Sequence, residues 1–105
     1  MLTRKVAIKE AGSFLSDLKD FGYTPVKAVL FGSMVKGGQH EWSDIDLAVW
    51  DEHFTGPIAM DYEKILPVLR PYRHLELHPF HPDETAETNP FVAEILRTGI
   101  EMPLE

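Results

Sequence analysis

Residues 26–50 read VKAVLFGSMVKGGQHEWSDIDLAVW, two apolar runs joined by a polar segment. The pair Gly32 and Ser33 follows the first run, and the second run opens with Asp44 and Asp46. Side chains alternate between the two faces of a strand, so both carboxylates would point to one face while their neighbours enter a core. Paired carboxylates are oxygen ligands that suit Mg²⁺, and a glycine-serine turn before a helix can hold phosphate. The stretch therefore predicts a site for a metal-bound nucleoside triphosphate.

Composition narrows the class of protein. A chain of 105 residues is long enough for one domain with a single hydrophobic core, which we place at residues 1–105. The chain has no cysteine, which excludes disulfides and thiolate metal sites. The formal net charge of -7 argues against direct nucleic-acid binding, because gripping phosphates requires a basic face.

The location is inferred from two missing features. The first five residues, MLTRK, lack the apolar core of a signal peptide. No apolar run approaches the roughly 20 residues that a membrane-spanning helix needs. A cytoplasmic protein without a membrane partner is therefore expected, either monomeric or in a homo- or hetero-oligomer.

Hydrophobic periodicity predicts an α/β or α+β fold, a small mixed sheet of three to four strands flanked by helices. Pro67 is expected to end or kink the third helix, and Pro79 and Pro82 to end the third strand. Asn89 should cap the last helix, with Gly99 after it. The predicted helices are 3–21, 33–37, 58–69 and 90–98. The predicted strands are 26–31, 44–50 (starting at Asp44 or Ile45) and 74–80. A short segment is expected at 100–104. The first helix should bury Val6, Phe14, Leu15, Leu18 and Phe21.

The spacing of the central motif points to a family. The pattern Gly32-Ser33-xxx-Gly37-xxxxx-Ser43-Asp44-Ile45-Asp46-Leu47 closely resembles the signature of the nucleotidyltransferase superfamily of the DNA polymerase β type. At this length the chain resembles the minimal nucleotidyltransferases, which are commonly encoded beside a HEPN-domain protein and act as its antitoxin. The segments 75–80 and 89–100 look like that family's last strand and closing helix.

The resemblance implies roles for three carboxylates. Asp44 and Asp46 would hold one or two Mg²⁺ ions that bridge the triphosphate. Glu76 is our choice for the third carboxylate, since it points away from the face of Leu75 and Leu77. If its strand neighbours that of Asp46, Glu76 can complete the metal site or accept the nucleophile's proton.

The same resemblance assigns the nucleotide site. Gly32 would let the backbone approach phosphate, and Ser33 would offer a hydroxyl and an N–H to it. Lys36 stands where the family often has arginine, and Met34 replaces another common arginine. The predicted nucleotide-binding residues are Gly32, Ser33, Lys36, Gly37 and Ser43.

The leading functional hypothesis is an enzyme that transfers AMP from ATP to a hydroxyl, plausibly a tyrosine of a HEPN-type toxin, and so acts as an antitoxin. The alternative is a weak or inactive nucleotide-binding module that neutralises a partner by surface contact. Transfer to a small molecule is a third possibility. The histidines add a fourth idea, since His74, Glu76 and His78 share a strand face that would suit zinc, although no tight ligand motif supports it.

Overall fold

The structure, a computed structural model, describes residues 4–32, 44–55 and 58–104. In these residues the fold is α+β, with three helices and a four-stranded mixed sheet. The predicted short helix at 33–37 lies outside the described residues. The elements in chain order are α1 (Arg4–Asp20), β1 (Lys27–Phe31), β2 (Ile45–Trp50), α2 (Ile58–Leu69), β3 (Leu75–Phe80), α3 (Pro90–Thr98) and β4 (Ile100–Glu101).

The strands lie in the order β3-β2-β1-β4. β1 pairs antiparallel with β2 and with β4, while β2 and β3 run parallel. The fourth strand confirms the upper end of the predicted range. The parallel pair requires a crossover, which α2 supplies.

The two faces of the sheet carry different side chains. Leu30, Leu47 and Leu77 form a row across β1, β2 and β3, buried under α1 and α2. The opposite face is covered by α3, which places Val92 and Ile95 over the sheet. The next row on that second face is Phe31, Asp46 and Glu76. The alternation predicted from the sequence is thus confirmed for Asp46 and Glu76.

The buried face of α1 differs from the predicted one. Val6 is 43% exposed and Phe21 is 47% exposed, so neither belongs to the core. The helix instead buries positions spaced three or four apart, and Val6 lies one residue off that stripe. Phe21 follows the end of the helix and stacks on Tyr23. The buried residues of α1 are Ala7, Ala11, Phe14, Leu15 and Leu18.

Pro67 does not end α2 and Pro79 lies inside β3, which ends at Phe80, ahead of Pro82. α2 continues past Pro67 to Leu69, and the Arg70 N–H still donates to the Leu66 carbonyl at 2.9 Å. Proline removes its own N–H and crowds the carbonyl four residues earlier, but hydrogen bonds donated by later residues, such as that of Arg70, remain possible.

β3 runs through Pro79 because of the strand's position at the edge of the sheet. The carbonyls of His74 and Phe80 accept N–H groups at the two ends of β2, which directs the even-numbered residues toward β2. Pro79 therefore turns its nitrogen toward the open edge, where no ladder hydrogen bond is lost. Among the described helices, none is long and apolar enough to cross a membrane.

Candidate active site

Three ligand-type side chains converge where β2 and β3 begin. Asp46 lies directly opposite Glu76 in the parallel register, and His78 follows on the same face. The His78 Nε2 lies 3.2 Å from Asp46 Oδ1 and 3.1 Å from Glu76 Oε2. One ligand atom from each residue lies within 4.8 Å of the others. We call Asp46, Glu76 and His78 the carboxylate–histidine group.

Aromatic contacts hold the imidazole of this group. The ring of His78 meets Phe31 edge-on with centroids 4.9 Å apart, and meets Phe91 at 5.9 Å. Both phenylalanines lie on the α3 side of the sheet, Phe31 in the buried cluster and Phe91 at the start of the helix. The packing turns Nε2 toward the carboxylates and keeps apolar atoms on the ring's other sides.

Exposure shows that the group is open on one side. The side chains of Asp46 and His78 are each 22% exposed, and that of Glu76 is 53% exposed. Water and ions therefore reach the carboxylates, while the base of the group rests on the sheet. Two carboxylates and an imidazole in such a position form a donor set that fits a divalent cation.

Gly32 makes room for the carboxylate of Asp46. Its φ is +87°, in the left-handed region, and a Cβ on it would collide with Asp46 Oδ2. Glycine follows directly on β1, whose last residue, Phe31, pairs with Asp46. Any other residue at this position would push the carboxylate away from Glu76 and His78.

Glu76 and His78 of this group line a cleft of about 750 Å³ along β3. Asp44, which is exposed, and His74 line the same cleft. The Tyr62 hydroxyl lies there too and donates to the Leu77 carbonyl on the open edge of β3. Burial raises the pKa of Tyr62, and the nearby charges of Glu76 and Asp46 raise it further. A cleft of this size can hold a nucleotide-sized ligand.

The structure brings together some of the predicted site residues. Asp46 and Glu76 lie side by side as the sequence suggested, with Gly32 against them. Asp44 lines the cleft but is not part of the carboxylate–histidine group. Four predicted nucleotide-binding residues lie outside the described residues, namely Ser33, Lys36, Gly37 and Ser43.

His78 was not among the predicted site residues. The signal for it was present, because a residue two positions after Glu76 on a strand must share its face. The zinc hypothesis used that signal but also required His74. The structure places His74 in the cleft and outside the group that His78 completes.

The sequence matches a known protein family. The model of the family described as "Nucleotidyltransferase domain" matches residues 12–97, most of the chain. The matched region contains every strand that builds the site and the whole of the central motif. No curated protein matches the sequence.

Proposed function

The chain belongs to the nucleotidyltransferase domain family, and on that premise we propose that it transfers AMP from ATP to a hydroxyl group in a Mg²⁺-dependent reaction. Nucleotidyl transfer as the general reaction, and an enzyme of that class, follow from family membership. The nucleotide, the cation and the acceptor are the parts that we propose.

One observation carries the proposal. Asp46 and Glu76 are paired across two parallel strands, and Glu76 lines a cleft large enough for a nucleotide. Gly32, the first residue of the family motif, lies directly against Asp46, because a Cβ on it would collide with Asp46 Oδ2. Two residues of the motif, Gly32 and Asp46, thus lie together with Glu76, which is 44 positions after Gly32 in the sequence.

The carboxylates divide the work as follows. Asp44, Asp46 and Glu76 would hold the cation, which would supply positive charge against the triphosphate and the leaving pyrophosphate. Glu76, the most exposed member of the carboxylate–histidine group, faces the cleft from the edge strand. It is placed to accept the proton of an incoming hydroxyl. Because Gly32 has no side chain, the backbone at the end of β1 can lie directly against the Asp46 carboxylate.

We propose further that the acceptor is a tyrosine of a HEPN-domain protein, which the transfer inactivates. This step rests on the resemblance to minimal nucleotidyltransferases. The cleft suits it because it extends along the open edge of β3, where a side chain from another molecule can enter. In this proposal the chain is the antitoxin of a cytoplasmic pair.

The test is transfer of label from ATP. The purified chain is incubated with α-labelled ATP, Mg²⁺ and a lysate of its source cells, and labelled protein is identified by mass spectrometry. We expect AMP on a tyrosine of one protein. Asp46→Asn should abolish the label, since it removes a cation ligand at constant size. Glu76→Gln should lower turnover more than it lowers triphosphate binding.

The matched control is Asp83→Asn, which removes an exposed carboxylate that does not line the cleft. It should label like the parent chain. Label found on a small molecule would agree with nucleotidyl transfer but would contradict the proposal that the acceptor is a protein. No label from a chain that still binds ATP and a partner would overturn the enzyme and favour a binding module.

A further inference from the structure

The Nε2 atom of His78 lies within reach of both carboxylates of the group. It lies almost equally far from one oxygen of Asp46 and one of Glu76, at 3.2 and 3.1 Å. A single N–H can point squarely at only one acceptor, since hydrogen bonds weaken steeply when bent. The contact with Asp46 has hydrogen-bond geometry, and from the same position a lone pair on Nε2 can reach a cation that both carboxylates hold.

The separations also have the size expected between ligands of one ion. In an octahedral site with ligands roughly 2.1 Å from the ion, neighbouring ligand atoms are about 3 Å apart. Both Nε2–oxygen distances are close to that edge length. The three ligand atoms also lie within 4.8 Å of one another, and two of the residues, Glu76 and His78, line the cleft.

The surroundings of the ring favour a fixed nitrogen ligand. Phe31 and Phe91 pack against the imidazole and keep Nε2, not Nδ1, directed at the carboxylates. His78 lies on a strand that is paired to β2 through its whole length, so its backbone is fixed relative to Asp46. A preorganised ligand of this kind costs little to order when a cation binds.

We infer that His78 is a direct nitrogen ligand of the cation that Asp46 and Glu76 hold, and that it shifts the site's preference from Mg²⁺ toward Mn²⁺. Mg²⁺ strongly prefers oxygen ligands. Imidazole suits Zn, Cu, Fe and Ni best, and Mn²⁺ shares the preference of Mg²⁺ for carboxylates while, as a transition metal, tolerating a nitrogen ligand better. Mn²⁺ accepts both carboxylate and imidazole. The inference rests on the proposed function for the presence of a cation, and it adds the ion's identity and the ligand that selects it.

The direct test is the spectrum of Mn²⁺ bound to the chain. Electron spin-echo measurements detect coupling between Mn²⁺ and a coordinated ¹⁴N, and replacing histidine nitrogen with ¹⁵N changes the pattern. We expect histidine-nitrogen coupling in the parent chain. His78→Gln, which substitutes an amide oxygen at similar reach, should abolish it. Competition between Mn²⁺ and Mg²⁺ is measured on the same samples.

His78→Gln should weaken Mn²⁺ binding by at least the ~10-fold that loss of even an outer-shell partner causes, and Mg²⁺ binding much less. The matched control is His74→Gln, an exposed histidine of the same cleft outside the carboxylate–histidine group. It should retain both the coupling and the ion preference. Thermal unfolding without metal checks that each variant is folded.

The outcomes separate this inference from the proposed function. Bound Mn²⁺ without nitrogen coupling in the parent chain overturns the inference, even if AMP is transferred. An unchanged Mn²⁺/Mg²⁺ ratio in a folded His78→Gln variant also overturns it. Nitrogen-coupled Mn²⁺ in a chain that transfers no nucleotide supports the inference and overturns the function.

Discussion

At the scale of single residues, Gly32 has the clearest physical role. The sequence suggested that this glycine lets phosphate approach the backbone. The structure adds a positive φ and a neighbouring carboxylate that leaves no space for a side chain. Gly22 is an informative comparison, because it also has a positive φ, +106°, but nothing lies within 4 Å of where its Cβ would be.

Alanine substitutions at Gly32 and Gly22 can therefore distinguish the cost of backbone strain from the effect on the site. Gly32→Ala and Gly22→Ala should each lose stability by about 1–2 kcal/mol, the cost of a left-handed backbone for a residue with a Cβ. Only Gly32→Ala should also displace Asp46 and lower AMP transfer, by about 100-fold for a shift near 1 Å. Denaturant unfolding and transfer rates measure the two effects. Equal transfer by both variants would contradict this role for Gly32.

At the scale of elements, the start of α3 builds one wall of the site. Asn89 accepts a hydrogen bond from the Phe91 N–H at 2.9 Å, and Pro90 occupies the first turn. The Asn89 amide also lies 3.3 Å from Glu84 Oε1, which ties the cap to the preceding turn. The cap thereby sets where Phe91 meets His78. Asn89 was correctly predicted as the cap, and Pro90–Thr98 as the helix.

Removing this cap should weaken α3 measurably. Asn89→Ala is expected to lower the free energy of unfolding by about 1 kcal/mol, the usual cost of losing an N-cap. Asn89→Ser should retain most of the stability, because a serine hydroxyl also accepts from the N-terminal N–H groups. Denaturant titrations of the three chains give the comparison. An equal loss in both variants would assign the stability to the Glu84 contact and not to the cap.

At the scale of the whole molecule, tyrosines join elements that are distant in sequence. Tyr72 donates to Asp17 and so connects the end of α2 to α1, and Tyr62 connects α2 to β3. Burial raises the pKa of all three tyrosines of the chain, and for Tyr72 the hydrogen bond to Asp17 helps to raise it to about 12. The nearby charge of Asp51 raises the pKa of Tyr23 further.

These shifts predict a loss of stability in alkali. Below pH 10 every tyrosine is neutral in both states, so the full stability is present. Between 10 and about 12 the unfolded chain releases protons that the folded chain retains, and stability falls as pH rises. Phenolate absorbance should show the folded chain ionising above pH 10, and Tyr72→Phe should reduce the alkaline loss. Ionisation of all three tyrosines near 10 would contradict the prediction.

The sequence by itself determined what depends on neighbours along the chain. Alternation placed Glu76 on the opposite face of its strand from Leu75 and Leu77, because successive side chains of a strand point to opposite faces. The last helix and its cap were predicted to the residue, since capping is a local hydrogen bond. The central motif was sufficient to indicate the family that the comparison then showed.

Tertiary structure decided what depends on residues far apart. The parallel pairing of β2 with β3 sets Asp46 against Glu76, and no local signal specifies the register of strands separated by a helix. The same pairing brings His78 to both carboxylates. It also leaves Pro79 on an edge strand, where its missing N–H costs no hydrogen bond of the sheet. Exposure of Phe21 likewise depends on how the chain turns after α1. Periodicity assigns side chains to faces, whereas only packing decides which faces meet.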